Sequence, residues 1–247
     1  MLRCFYPFRN QERDKFAVTL KFLANKQDQP NFLYLHELVN MAEQITNNLF
    51  SSNRNPLKSD FELANSKLWL IADAISKHLD NEKSACDKQN NERNTPLHLL
   101  CSLCKVACDK GPGLITWNKA FSVSAPIAYI FVKLLSNVNA NGQNHKGDTP
   151  LHILATSSEG QLGFNPFLLL FAYNARTNIK NNGNQTCFEL ATNYSRDASL
   201  LSDMHTFTSS ETAWQQIAED KMKTILDNKP GNTSHSSKKH VTFSSSH

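Results

Sequence analysis

Four residues of the kind that bind borderline metals stand close together in this chain: His98, Cys101, Cys104 and Cys108. On a helix, spacings of three and four residues bring side chains onto one flank, and thiolate sulfur and imidazole nitrogen are ordinary tetrahedral zinc ligands. The same residue types raise a second chemistry, because a cysteine hydrolase needs a thiolate beside a histidine that a third group orients. No local stretch of the sequence assembles all three parts. The room left for a cysteine- or metal-dependent enzyme is therefore the N-terminal helical region. Six cysteines also invite a disulfide framework, yet three of them crowd into one helical segment, which suits free thiols in a reducing compartment.

Two further groups have the chemistry of binding. Trp117 and Phe121 flank no catalytic motif, but aromatic rings dominate binding hot spots, so they are candidate partner anchors; the alternative is that they fold back over their own underside. Near the end, Lys239-His240-Val241-Thr242-Phe243 resembles the motif by which regulatory subunits dock on type-1 serine/threonine phosphatase. The resemblance implies that Lys239 supplies the basic position while Val241 and Phe243 fill alternate pockets as the peptide adds to a sheet edge.

Composition bounds what must position these residues. At 247 residues with 40% hydrophobic and 19% charged residues, the chain is long enough for a sizeable core under a polar, weakly charged surface. A net charge of +4 is too mild and too evenly spread for a nucleic-acid footprint. The start of the chain lacks a long apolar stretch and a small-residue cleavage site, and the longest apolar runs, 68–71 and 167–173, fall far short of a membrane span. The expected location is cytoplasmic, or outside the producing cell by a signal-less route.

The strongest pattern is an internal repeat. Thr95-Pro96-Leu97-His98 returns as Thr149-Pro150-Leu151-His152 and, worn, as Thr186-Cys187-Phe188-Glu189. The residues upstream return in step, with Asn137-Val138-Asn139-Ala140 preceding Gly147 in the second copy and Asn174-Ala175-Arg176-Thr177 preceding Asn184 in the third. The first copy is the most divergent, with Asp87 and Asn90 in the corresponding polar positions. In these tetrads and upstream stretches the chain resembles the ankyrin-repeat family. Thr caps the free amides of a new helix, Pro fits the first helical position, and Leu enters the core. The resemblance implies that each His ties neighbouring loops together, and that Cys101 takes the place of a small packed Ala rather than of a metal ligand. No metal and no cofactor are expected. Turn positions need a left-handed backbone, which Gly tolerates best and Asn next; Gly147 is the family's glycine, Asn137 and Asn184 are Asn substitutes, and Arg93 departs from the pattern, which predicts a strained first hairpin.

Thr95 to Thr149 is 54 residues and Thr149 to Thr186 is 37, against roughly 33 for the family, which predicts insertions at 106–124 and 157–166. Helical periodicity upstream, with no further tetrad, predicts an N-terminal helical region over 1–82 that is either a degenerate repeat or a helical cap. Repeats fill 83–195. A capping box at Thr208-Ser209-Ser210-Glu211 and an apolar stripe through Trp214, Ile217, Met222, Ile225 and Leu226 predict a C-terminal helical cap within 196–228 that closes the stack. Residues 229–247 read as a disordered tail.

The expectation is an all-α ankyrin-repeat solenoid acting as a non-enzymatic, monomeric adaptor for a protein partner. By register, the partner face is the concave side: Asn91, Glu92, Asn94, Ser102 and Leu103; His145, Lys146, Asp148, Thr156 and Ser157; and Asn182, Gly183, Gln185, Asn193 and Tyr194. Most are polar and uncharged, which predicts recognition by shape and hydrogen bonds more than by electrostatic steering. In its Asn, Lys and Ser richness and its small polar ending, the chain also resembles ankyrin-type effectors that intracellular bacteria inject into host cells, which implies a host protein as partner.

Overall fold

Every element described in the computed structural model is helical. The structure describes residues 6–27, 29, 32–51, 57–110, 124–157, 165–194, 220–227 and 229, and no strand occurs among them. The order is α1 (Tyr6–Ala24), α2 (Tyr34–Ser51), α3 (Lys58–Asn81), a short 3-10 turn (Lys83–Asp87), α4 (Pro96–Lys110), α5 (Ser124–Leu135), α6 (Pro150–Ala155), α7 (Pro166–Ala172) and α8 (Cys187–Tyr194). The segment 220–227 is also helical and is α9 here.

The helices form two rows. α2, α4, α6 and α8 touch in succession, and so do α1, α3, α5 and α7; crosswise, α2 pairs with α3, α4 with α5 and α6 with α7. Residue patterns follow from these neighbours. α2 buries Leu35, Leu38, Ala42 and Leu49 along one stripe and exposes Glu37, Gln44 and Asn48, the half-apolar pattern of a helix with neighbours on one side. α4 lies between α2 and α6 and against α5, so its apolar surface is wider: Leu97, Leu100, Cys101, Leu103, Cys104 and Ala107 are wholly buried. α1 lies on α3 through the face bearing Phe16, Leu20 and Leu23 and leaves Val18 and Phe22 exposed.

Helix ends are set by local chemistry. Asp60 accepts the Leu57 N–H at 2.9 Å before the first turn of α3. Asn165 accepts the Leu168 N–H at 3.1 Å and Pro166 takes the first position of α7, where a missing N–H costs nothing. α6 stops after six residues because the next two hydroxyls turn back: Thr156 Oγ1 donates to the Ile153 carbonyl at 2.8 Å and Ser157 Oγ to that of Leu154 at 2.7 Å, competing with continued helix.

The described elements can be set beside three of these expectations. In the N-terminal region the α2–α3 pair joins the two rows in the same way as α4–α5 and α6–α7. The long first spacing is partly helix, since α4 runs on to Lys110 through the start of the expected insertion at 106. Of the expected C-terminal cap only 220–227 is described, and Lys229, just past α9, places its ammonium 2.7 Å from Asp73 on α3 and 5.2 Å above the Tyr129 ring on α5. Met222, Ile225 and Leu226 pack on the core, while Trp214 and the 208–211 capping box lie outside the described residues.

Candidate partner-binding surface

Three hairpins, 90–94, 144–148 and 181–185, are built alike. In each, the first residue's N–H donates to the carbonyl of the fifth (Asn90 to Asn94 at 3.0 Å, Asn144 to Asp148 at 3.0 Å, Asn181 to Gln185 at 2.9 Å), and the fourth residue's N–H returns to the carbonyl of the first. The first residue is always Asn, and its Oδ1 accepts amides inside the loop: Glu92 and Asn94, then Lys146 and Asp148, then Gln185. The fourth residue is left-handed in all three, with φ 58° at Arg93, 76° at Gly147 and 59° at Asn184. At Gly147 a Cβ would meet the Asn182 backbone nitrogen at 2.6 Å, so glycine is needed for space as well as for φ. Asn137, expected in this conformation, is not in it. Its N–H bonds to Leu134 O and its side chain to Lys133 O as α5 ends, while Asn174, 37 residues on, is left-handed at φ 58°.

Backbone and side chain then join hairpin to hairpin. His145 N–H donates to Glu92 O at 3.0 Å and Asn182 N–H to Lys146 O at 2.9 Å. Asn144 Nδ2 donates to Asn94 Oδ1 at 3.0 Å, and Asn181 Nδ2 to Asp148 Oδ1 at 2.8 Å. An aspartate could hold the loop together but not supply these rungs, because a carboxylate only accepts.

The histidines fasten the hairpins to the helices. Thr95 N–H donates to His98 Nδ1 at 3.1 Å, and the Thr95 hydroxyl lies 2.8 Å from the same nitrogen. A backbone N–H can only donate, so Nδ1 carries the lone pair and Nε2 the hydrogen, which Nε2 gives to the Asp148 carbonyl at 3.1 Å. His152 repeats the arrangement with Thr149 and the Gln185 carbonyl. Burial pushes the His98 pKa down, against the carbonyls of Asp148 and Gly142, which favour the charged ring. His36 is a third such residue that no tetrad announces: its Nε2 lies 2.8 Å from the Asn94 carbonyl, and burial lowers its pKa in the same way. Leu33 and Tyr34 stand where the other copies carry Thr and Pro, so the only readable signal was Leu35-His36 at the start of a helix. In the last copy Glu189 replaces His. Its Oε2 accepts the Thr186 N–H at 2.6 Å and hydroxyl at 3.0 Å, bonds that hold its pKa down.

The metal set dissolves at His98, both of whose ring nitrogens are engaged; among the described residues no group of three or more His, Cys, Asp or Glu is arranged to hold a metal ion. Cys86, Cys101, Cys104, Cys108 and Cys187 are buried and form no disulfides. Burial pushes Cys86 and Cys187 up to about 12 and raises Cys101 and Cys104 well above the ordinary thiol value, the reverse of an activated nucleophile. A recess lined by Gln27, Tyr34, His36, His78 and Lys88 among others encloses only about 10 Å³, far below the roughly 300–1,000 Å³ of small-molecule sites.

Of the expected partner-face residues, Asn91, Glu92, His145, Lys146, Asn182, Gly183 and Asn193 are exposed, and Ser102, Asp148, Thr156 and Gln185 are half-buried. Three expectations are corrected. Leu103 is fully buried on the wide apolar face of α4; Asn94 is buried because it accepts the rung from Asn144; and Ser157 is buried where its hydroxyl ends α6. The side chain of Tyr194 lies outside the described residues, as do Trp117, Phe121, Lys239, Val241 and Phe243. Arg93 belongs with the exposed hairpin residues although register placed it only as a turn position. Among the described residues no helix is long and apolar enough to cross a membrane. Neither a scan of protein-family models nor a search of curated proteins returns a match to this chain.

Proposed function

We propose that the chain is an ankyrin-type repeat stack that works as a non-enzymatic adaptor, holding a protein partner on the row of hairpin tips and the adjoining ends of the inner helices. The observation that carries this reading is the repeated tie. Three hairpins of one construction hang from histidines of the preceding helices, and their tips are fixed to one another by backbone rungs. A row of exposed polar side chains on a rigid, preorganised frame loses little entropy on binding. Buried, protonated thiols and engaged histidines favour binding over catalysis.

Random peptides displayed on phage and selected on the full-length chain test the proposal, with hydrogen exchange locating where a selected peptide protects the backbone. Protection at 91–93, 145–146 and 182–184 is the expected result. Protection confined to the outer row of helices would move the interface there and overturn the reading.

A further inference from the structure

We infer that the hairpin row is built to receive carboxylate groups of an acidic protein segment, with Arg93 as its specificity-determining contact; the inference rests on the adaptor reading above. Arg93 holds a left-handed backbone, φ 58°, in the position where the other hairpins use glycine and asparagine. A side chain with a Cβ is strained there, and such strain at an exposed position persists where the side chain has a use. Its guanidinium has little internal employment: the Nε–H reaches Gln89 Oε1 only at 3.5 Å, and no described carboxylate lies within ion-pair distance.

The neighbouring charges sort by sign. Glu92 is exposed but tied to its own loop, its Oε2 accepting Asn94 Nδ2 at 3.0 Å, and Asp148 is half-buried and accepts Asn181 Nδ2 at 2.8 Å. Lys146 is exposed, and no described carboxylate pairs with it. The rung from His145 N–H to Glu92 O places Arg93 and Lys146 at adjacent tips. Each acid thus accepts a hydrogen bond within the hairpin row, whereas the two exposed cations have no carboxylate partner among the described residues. A planar guanidinium suits a carboxylate bidentately. Two discrete cations do not suit the continuous charge of a nucleic-acid backbone, one phosphate per about 1.7 Å of duplex.

The peptide selection, run in parallel on the wild-type chain and on Arg93→Gly/Lys146→Gln, decides the matter. Peptides selected by the wild type should carry Asp or Glu at recurrent positions, bind more weakly as salt is raised, and lose about fivefold in affinity per cation removed, the upper range for an exposed ion pair. Arg93→Gly and Arg93→Asn should each raise Tm, by up to about 2–4 °C, while weakening the same peptides; a merely structural arginine would not give gains and losses of opposite sign. Neutral peptides that protect the hairpins and bind the double variant equally would overturn the acidic partner and leave the adaptor reading standing. Absence of any hairpin-binding peptide would overturn both, and tighter binding of duplex DNA than of acidic peptides would replace the carboxylate partner with a phosphate one.

Discussion

A histidine that accepts at Nδ1 and donates at Nε2 does its work only while neutral. Protonating His98 would set a ring N–H against the Thr95 N–H, which now donates to that nitrogen at 3.1 Å. Burial holds the folded-state pKa of His98 and of His36 below the ordinary 6.5, so the unfolded chain takes up the proton first. Stability from this source is full above about pH 6.5, falls as the pH drops below that value, and stops falling once the folded pKa is passed. Melting temperatures measured from pH 7.5 down to 5 should decline, and His98→Ala should both lower Tm at pH 7.5 and flatten the decline. An undiminished slope in the variant would assign the pH dependence to other groups. Glu82 and Glu189, held below the usual carboxylate value, lose their contributions only at lower pH and stay out of that window.

The hairpin shows at the level of the element what is legible in a sequence and what is not. Thr-Pro-Leu-His at 95–98 and 149–152 announces a cap, a first helical residue and a tie, because each residue type has one dominant local role. The same tie at His36 goes unannounced, since Leu33 and Tyr34 carry neither the capping oxygen nor the proline that make the pattern readable. Burial at Leu103 and Ser157 is equally silent in a register count, as it depends on how far α4 continues and on where α6 is stopped. The Asn at the head of each hairpin is readable as a turn residue but not as a rung, because its partner, Asn94 for Asn144, lies 50 positions away. That difference is measurable. Asn144→Asp keeps the acceptor for Lys146 and Asp148 N–H but removes the donor to Asn94 Oδ1, and should cost about 1–3 kcal/mol in urea unfolding for the orphaned buried acceptor. Asn90→Asp, at the head of the first hairpin with no rung of its own among the described residues, should stay within about 0.5 kcal/mol of wild type. Equal losses at both sites would show that the rungs contribute nothing.

For the molecule as a whole, a row of helix pairs is bound mostly by nearest-neighbour contacts and loosens from its ends. The Lys229–Asp73 contact runs against that rule by joining the end of the described chain to the second row's α3. Both groups are partly solvent-exposed, at 23% and 44% of the side chain, so screening limits the pair to at most about 1 kcal/mol. Lys229→Ala should leave Tm almost unchanged and still raise amide exchange across 220–229; unaltered exchange would mean that Met222, Ile225 and Leu226 hold the segment without it. α1 packs on this same α3, so the first and last described segments converge on one helix of a chain that otherwise extends stepwise. Among the described residues α3 therefore supports both ends of the chain, so loosening this one helix should release the first and last segments together.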